Sequence, residues 1–146
     1  MKLIVADDSA LFREGMVGLL ERQGHEVLAQ AATAPELLAA AARHAADVLV
    51  TDVRMPPGMA DDGLRAAVEL REVQPATGIM VLSQYVAPAY ATRLFEPAAP
   101  AEGVGGLGYL LKDRVARVAD FIRSLQVVAA GGVVVDPEVA ASLVRG

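Results

Sequence analysis

The sequence predicts an α/β fold: a doubly wound, five-stranded parallel sheet in the order 2-1-3-4-5, with an extra C-terminal helix. Three observations predict it. Short apolar runs without polar alternation recur along the chain, as expected of strands buried on both faces. Segments with helical spacing, closed by Gly, Pro or capping residues, separate those runs, and such alternation implies right-handed crossovers. The charged groups Asp7, Asp8, Asp52 and Lys112 each follow a run directly, which gathers them at the carboxyl edge of one sheet.

Residues 2 to 6 form the first strand and stop at Asp7-Asp8. From Ala10 to about Arg22, Leu11, Phe12, Met16, Leu19 and Leu20 recur at helical spacing, and Gly24 ends the helix. Val27 to Ala31 is the second strand. Thr33 with Glu36 makes a capping box for an alanine-rich helix reaching about Ala45, with Pro35 harmless in its first turn. Val48 to Thr51 is the third strand and delivers Asp52. A Pro- and Gly-rich loop from Met55 to Asp62 leads into a helix carrying Leu64, Val68 and Leu70. Ile79 to Leu82 is the fourth strand, ending at Ser83; a short helix follows over Pro88 to Leu94, and Glu96 to Gly106 reads as a long mobile loop. Gly108 to Leu111 is the fifth strand, ending at Lys112. Val115, Val118, Ile122 and Leu125 mark a fifth helix that stops before Gly131-Gly132, and Val133 to Val135 is extended. Asp136, Pro137 and Glu138 start the last helix by capping, a proline in the first position and an acidic first turn.

At 146 residues the chain is sized for one compact domain. An apolar fraction of 54% and a mean hydropathy of +0.40 exclude intrinsic disorder. The apolar runs are far shorter than the roughly 20 residues of a membrane span, so neither a signal peptide nor a membrane helix is expected. The absence of cysteine removes disulfides and thiolate zinc sites, which suits a cytoplasmic protein. A formal net charge of −5 argues against this segment gripping nucleic acid itself.

In a 2-1-3-4-5 sheet the chain reverses direction between the first and third strands, and ligands bind in the crevice beyond the carboxyl ends there. Asp8 and Asp52 end those two strands. Gathered carboxylates repel by about 4 kcal/mol per close pair at a moderate effective dielectric, and a divalent cation offsets this. Mg2+ suits Asp8, Asp52 and a backbone carbonyl near Arg54. Asp52 is then a nucleophile able to accept a phosphoryl group as an acyl phosphate, with Lys112 on one phosphoryl oxygen and the Ser83 hydroxyl on another.

These residues carry a resemblance. Asp7-Asp8-Ser9, Val53-Arg54-Met55-Pro56 after Asp52, Leu82-Ser83, and Gly108-Tyr109-Leu110-Leu111-Lys112-Asp113 resemble the receiver domain of two-component response regulators, with its flavodoxin-like fold. Leu11-Phe12-Arg13-Glu14-Gly15 and Ala129-Ala130-Gly131-Gly132 before Asp136-Pro137-Glu138-Val139 resemble the NarL/FixJ branch, whose receivers precede a LuxR-type helix-turn-helix. The resemblance implies a receiver over residues 1–130 and a linker extension over 131–146. It implies that Asp52 takes phosphate from a sensor histidine kinase, that Asp8 ligates Mg2+ directly and Asp7 through water, and that Ser83 and Tyr109 form a switch pair. It further implies homodimers, with pairing through the first and fifth helices favoured here, and DNA binding by a domain absent from this segment. The apolar last helix, stopping at Gly146, fits a receiver cut from a longer transcription factor; a natural stand-alone receiver is the alternative.

The sequence departs from the pattern in four places: Asp113 follows the lysine, the loop after Met55-Pro56 is long although Asp62-Gly63-Leu64 restores its ending, the stretch before Gly108 is long, and Gln84 replaces a small residue. Arg54 and Tyr85 stand two positions beyond Asp52 and Ser83, where the resemblance implies that side chains flank the path of an attacking water; both are bulky, which predicts a long-lived acyl phosphate. Two rival functions remain. Acid-cluster phosphatases place a second carboxylate where Arg54 stands, and a passive dimerising module needs no intact acidic site. Gly103, Gly105 and Gly108 match a dinucleotide fingerprint but precede a strand, so they read as loop. His25 and His44 lack metal-ligand spacing, and Met55 and Met59 read as loop or packing residues.

Overall fold

The computed structural model describes residues 1–95 and 105–145. Its central layer is one parallel sheet built from β1 (Lys2–Ala6), β2 (Glu26–Ala31), β3 (Val48–Asp52), β4 (Gly78–Ser83), β5 (Leu107–Leu111) and β6 (Val133–Val135), in the order β2-β1-β3-β4-β5-β6. The expected 2-1-3-4-5 arrangement is present, and the extended valines add a sixth strand, pairing Val133 with Leu107 and Val135 with Tyr109. The helices are α1 (Ala10–Arg22), α2 (Ala34–Arg43), α3 (Asp62–Val73), α4 (Pro88–Phe95), α5 (Val118–Ala129) and α6 (Pro137–Arg145). Lys112–Ala116 forms a 3-10 turn ahead of α5, so the fifth helix starts later than the sequence pattern implied. Val115 and Val118 are three apart, a spacing that a 3-10 turn and an α-helix share. The long loop expected before Gly108 falls mostly outside the described residues.

The buried strands alternate between two cores. Leu3, Val5, Val48, Val50, Met80 and Leu82 meet Met16 and Leu20 of α1 and Phe121 and Leu125 of α5. Ile4, Ala6, Leu49, Ile79, Val81 and Tyr109 face the other way, onto Leu37 of α2, Leu64 of α3, Leu94 of α4 and Val139 of α6. This period-2 division explains why the strand runs read as continuously apolar.

Helix starts follow the capping residues. Ser9 Oγ accepts the Phe12 N–H at 3.3 Å, and Thr33 Oγ1 accepts that of Glu36 at 3.2 Å. Glu36 returns a carboxylate oxygen to the Ala32 N–H at 2.9 Å, one residue outside the usual box. Register carries all the strand ends to one edge: Ala6 pairs with Thr51, Asp52 with Leu82, and Ser83 with Leu111.

Candidate functional site

At that edge the sheet brings together four of the groups singled out in the sequence. Carboxylate oxygens of Asp7, Asp8 and Asp52 lie within 4.8 Å of one another. The Lys112 ammonium bridges two of them, at 2.8 Å from Asp7 Oδ2 and 3.0 Å from Asp52 Oδ2. Asp7 and Asp52 are buried.

The backbone is tied down around two of the acids, Asp7 and Asp52. The Asp7 N–H donates to the Ala31 carbonyl, Asp7 Oδ1 accepts the Ser9 N–H at 2.9 Å, and Arg13 Nη1 donates to the Asp7 carbonyl at 2.6 Å. Beside Asp52, the Gly63 N–H donates to the Val53 carbonyl at 2.9 Å. Gly63 is required by contact: a Cβ there would sit 1.8 Å from the Asp52 carbonyl oxygen. Gly108 likewise opens β5 where a Cβ would meet Met80 at 2.6 Å, so this member of the apparent dinucleotide fingerprint serves packing.

Charge is not balanced here. Burial, then the neighbouring Asp7 carboxylate, pushes the Asp52 carboxyl above its ordinary value, and Lys112 only partly offsets them. Burial pulls the Lys112 ammonium down, but its bonds to Asp7 and Asp52 outweigh that and hold it above its ordinary value. Three acids against one ammonium leave a net negative pocket of hard oxygen donors, and this donor set fits Mg2+.

The remaining predicted residues lie around the pocket. Arg54 follows Asp52 by two residues, and its guanidinium lies 5.4 Å from the centre of the exposed Tyr85 ring. A water-sized cavity of about 30 Å³ is lined by Asp52, Arg54, Ser83, Gln84, Tyr85 and Tyr90. Ser83 Oγ is engaged with Tyr85, donating to its carbonyl at 2.9 Å and accepting its N–H at 3.2 Å. The Tyr109 ring is fully buried, and among the described residues its hydroxyl has no hydrogen-bond partner. Burial raises that phenol above its ordinary value; the nearby Ser83 works against the shift and Asp52 with it. Of the two residues expected to form a switch pair, Tyr109 thus has its ring inside and Ser83 is bonded to Tyr85.

Three contributors were missed in the sequence. The Phe12 ring lies under the Lys112 ammonium, 4.8 Å from its centre, a cation–π contact that α1 supplies. Arg13 anchors Asp7. Asp136, read only as a helix cap, bonds to β5 immediately before the lysine. The first two follow Asp7-Asp8 by one helical turn, a spacing that places them over the strand ends; no local pattern signals the third.

A family model, "Response regulator receiver domain", matches residues 3–113. The chain belongs to that family. Its likeness to relatives places this receiver among LuxR/NarL-type response regulators. It is 33% identical over 146 residues to the oxygen regulatory protein NreC of Staphylococcus carnosus (strain TM300), covering 99% of this chain and 62% of that protein. The receiver therefore spans about three fifths of the length of the curated relatives it matches. Among solved structures it is similar to a LuxR-family two-component response regulator from Aurantimonas sp. SI85-9A1, with a TM-score of 0.79 and 26% identity over 99% of this chain and 95% of that one. It also resembles the signal receiver domain of the putative response regulator NarL from Mycobacterium tuberculosis, with a TM-score of 0.68 and 30% identity over 86% of this chain and 95% of that one.

Proposed function

We propose that this receiver accepts a phosphoryl group onto Asp52 from a phosphohistidine of a sensor histidine kinase. The observation that carries the reading is the pocket itself: three carboxylates within 4.8 Å, two of them bridged by one partly buried ammonium. An Asp52 carboxylate oxygen attacks phosphorus, the new P–O bond forms as the P–N bond breaks, and the imidazole leaves with a proton. Lys112 shifts its hydrogen bonds toward a phosphoryl oxygen, and the Ser83 hydroxyl leaves Tyr85 to meet another. Asp7, Asp8, Asp52 and the backbone carbonyl of Arg54 would hold Mg2+, which supplies charge neutralisation for the transferring group. Tyr109 is the partner of Ser83 in the resulting surface change.

Residues 1–130 serve as the receiver proper, and 131–146 lead toward an output domain that binds DNA and regulates transcription. The cellular setting is cytoplasmic; among the described residues no helix is long and apolar enough to cross a membrane. Homodimers form through α1 and α5 on phosphorylation. An apolar cavity of about 400 Å³ between α1 and the turn preceding α5, lined by Leu11, Phe12, Leu19, Val115 and Ala116, supports that mode.

Incubation with acetyl phosphate and Mg2+, followed by intact-mass and peptide mass spectrometry, tests the reading. One phosphoryl adduct per chain on Asp52 is expected. Continuous phosphate release without an adduct would instead identify a hydrolase, and no reaction a passive module.

A further inference from the structure

Asp136 lies far along the chain from the acceptor pocket and carries more polar contacts than a helix cap needs. Its carboxylate is fully buried. Oδ2 accepts the Leu111 N–H at 3.0 Å and Arg114 Nε at 2.9 Å; Oδ1 accepts Arg114 Nη2 at 3.1 Å and the Glu138 N–H at 3.0 Å. Its own N–H donates to the Tyr109 carbonyl at 2.7 Å. Capping α6 accounts for the Glu138 bond alone. The others grip β5 at Tyr109 and Leu111 and grip the following turn at Arg114. Lys112 hangs between those two points and reaches out to Asp7 and Asp52.

The Asp136 carboxylate is buried while Arg114 stays partly exposed, and desolvating that carboxylate consumes much of the attraction, so the pair is a poor way to gain stability. Its merit is geometric, since a bidentate fork admits one orientation. The same carboxylate caps α6, whose Val139 is buried in the core that contains Tyr109 and Leu94.

We propose that Asp136 is a positioning residue for Lys112, setting where the ammonium stands relative to Asp52 and joining the acceptor pocket to α6 through one carboxylate. This rests on the phosphoryl-accepting reading of that pocket. Phosphoryl transfer is steeply sensitive to the placement of the stabilising charge, so a lysine freed on both flanks loses rate while the acidic donors for Mg2+ stay in place.

The test compares the wild-type chain with Asp136→Ala, Asp136→Asn and Val139→Ala. The rate of Asp52 phosphorylation is measured at saturating acetyl phosphate, and Mg2+ affinity by calorimetry. Asp136→Ala is expected to slow phosphorylation by about tenfold or more, with the Mg2+ dissociation constant changed by less than about twofold. Asp136→Asn keeps an acceptor for Leu111 but releases the Arg114 charge, so its rate falls in between; should the alanine variant not fold, the asparagine variant decides. Val139→Ala loosens α6 without touching the carboxylate and keeps the wild-type rate. Wild-type rates in both Asp136 variants overturn the inference, as does equal slowing by Val139→Ala or a parallel loss of Mg2+ affinity. A wild-type chain that takes no phosphate overturns the functional reading and this inference with it, whereas an adduct formed equally well by all variants overturns this inference alone.

Discussion

Replacing Asp52, the proposed acceptor, with asparagine is expected to stabilise the metal-free protein. Asp52 and Asp7 place oxygens within 4.8 Å, so at an effective dielectric of 20 they repel by at least about 3.5 kcal/mol. Lys112 at 3.0 Å returns about 5.5 kcal/mol on the same scale. Burial of the carboxylate costs several kcal/mol more, which turns the balance against the charged form. The upward displacement of the Asp52 pKa has that same sign. Allowing for the lysine's remaining bond to Asp7, the net gain for Asp52→Asn is about 2 kcal/mol, or roughly 4 to 8 °C in Tm for a chain of this size. The gain has a pH signature. An acid whose folded pKa is raised is more ionised in the unfolded state, so wild-type stability falls as pH rises from the ordinary value of 3.8 through the raised one and is flat above. Asp52→Asn therefore outperforms wild type at pH 8 and loses the advantage near pH 4. Urea unfolding at both pH values, with chelator present, measures it. A variant that is less stable at pH 8, or whose advantage does not change with pH, would refute the reasoning.

Mg2+ is expected to reverse that order, stabilising the wild-type chain by about 2.7 kcal/mol at a hundred times its dissociation constant, and Asp8→Ala should abolish the gain in a thermal melt. Arg54→Ala and Tyr85→Ala open the wall of the cavity beside Asp52, so both should shorten the lifetime of the acyl phosphate; unchanged dephosphorylation by mass spectrometry would show that the pair does not shield it. Gly63→Ala forces a Cβ against the Asp52 carbonyl and should cost about 3 kcal/mol or more in urea unfolding. Its circular dichroism should report loosening of α3.

The element order and the acidic pocket could be read from the chain because both rest on local signals: apolar runs that end in charge, and caps such as Thr33 with Glu36. What escaped is non-local. Val133–Val135 is too short to announce a strand, and it becomes one only because the β5 edge offers a ladder. Phe12 looked like another apolar residue of α1, and only the approach of Lys112, a hundred residues on, reveals its second use. Asp136 satisfied a capping rule so well that its bonds to Leu111 and Arg114 had no separate trace. Ser83 and Tyr109 were expected as a switch pair by position alone, and the bond from Ser83 to Tyr85 depends on a backbone turn that residue types do not encode.

The glycine pressed against the acceptor strand has an evolutionary corollary. If the proposed phosphoryl-accepting role were dropped, the acids of the pocket would be free to change, because removing one of them relieves repulsion in the metal-free protein. Position 63 is under a different master: any larger residue breaks the seam between helix and strand whether or not the protein still signals. In degenerate copies, the fossil that outlasts the chemistry is therefore the glycine.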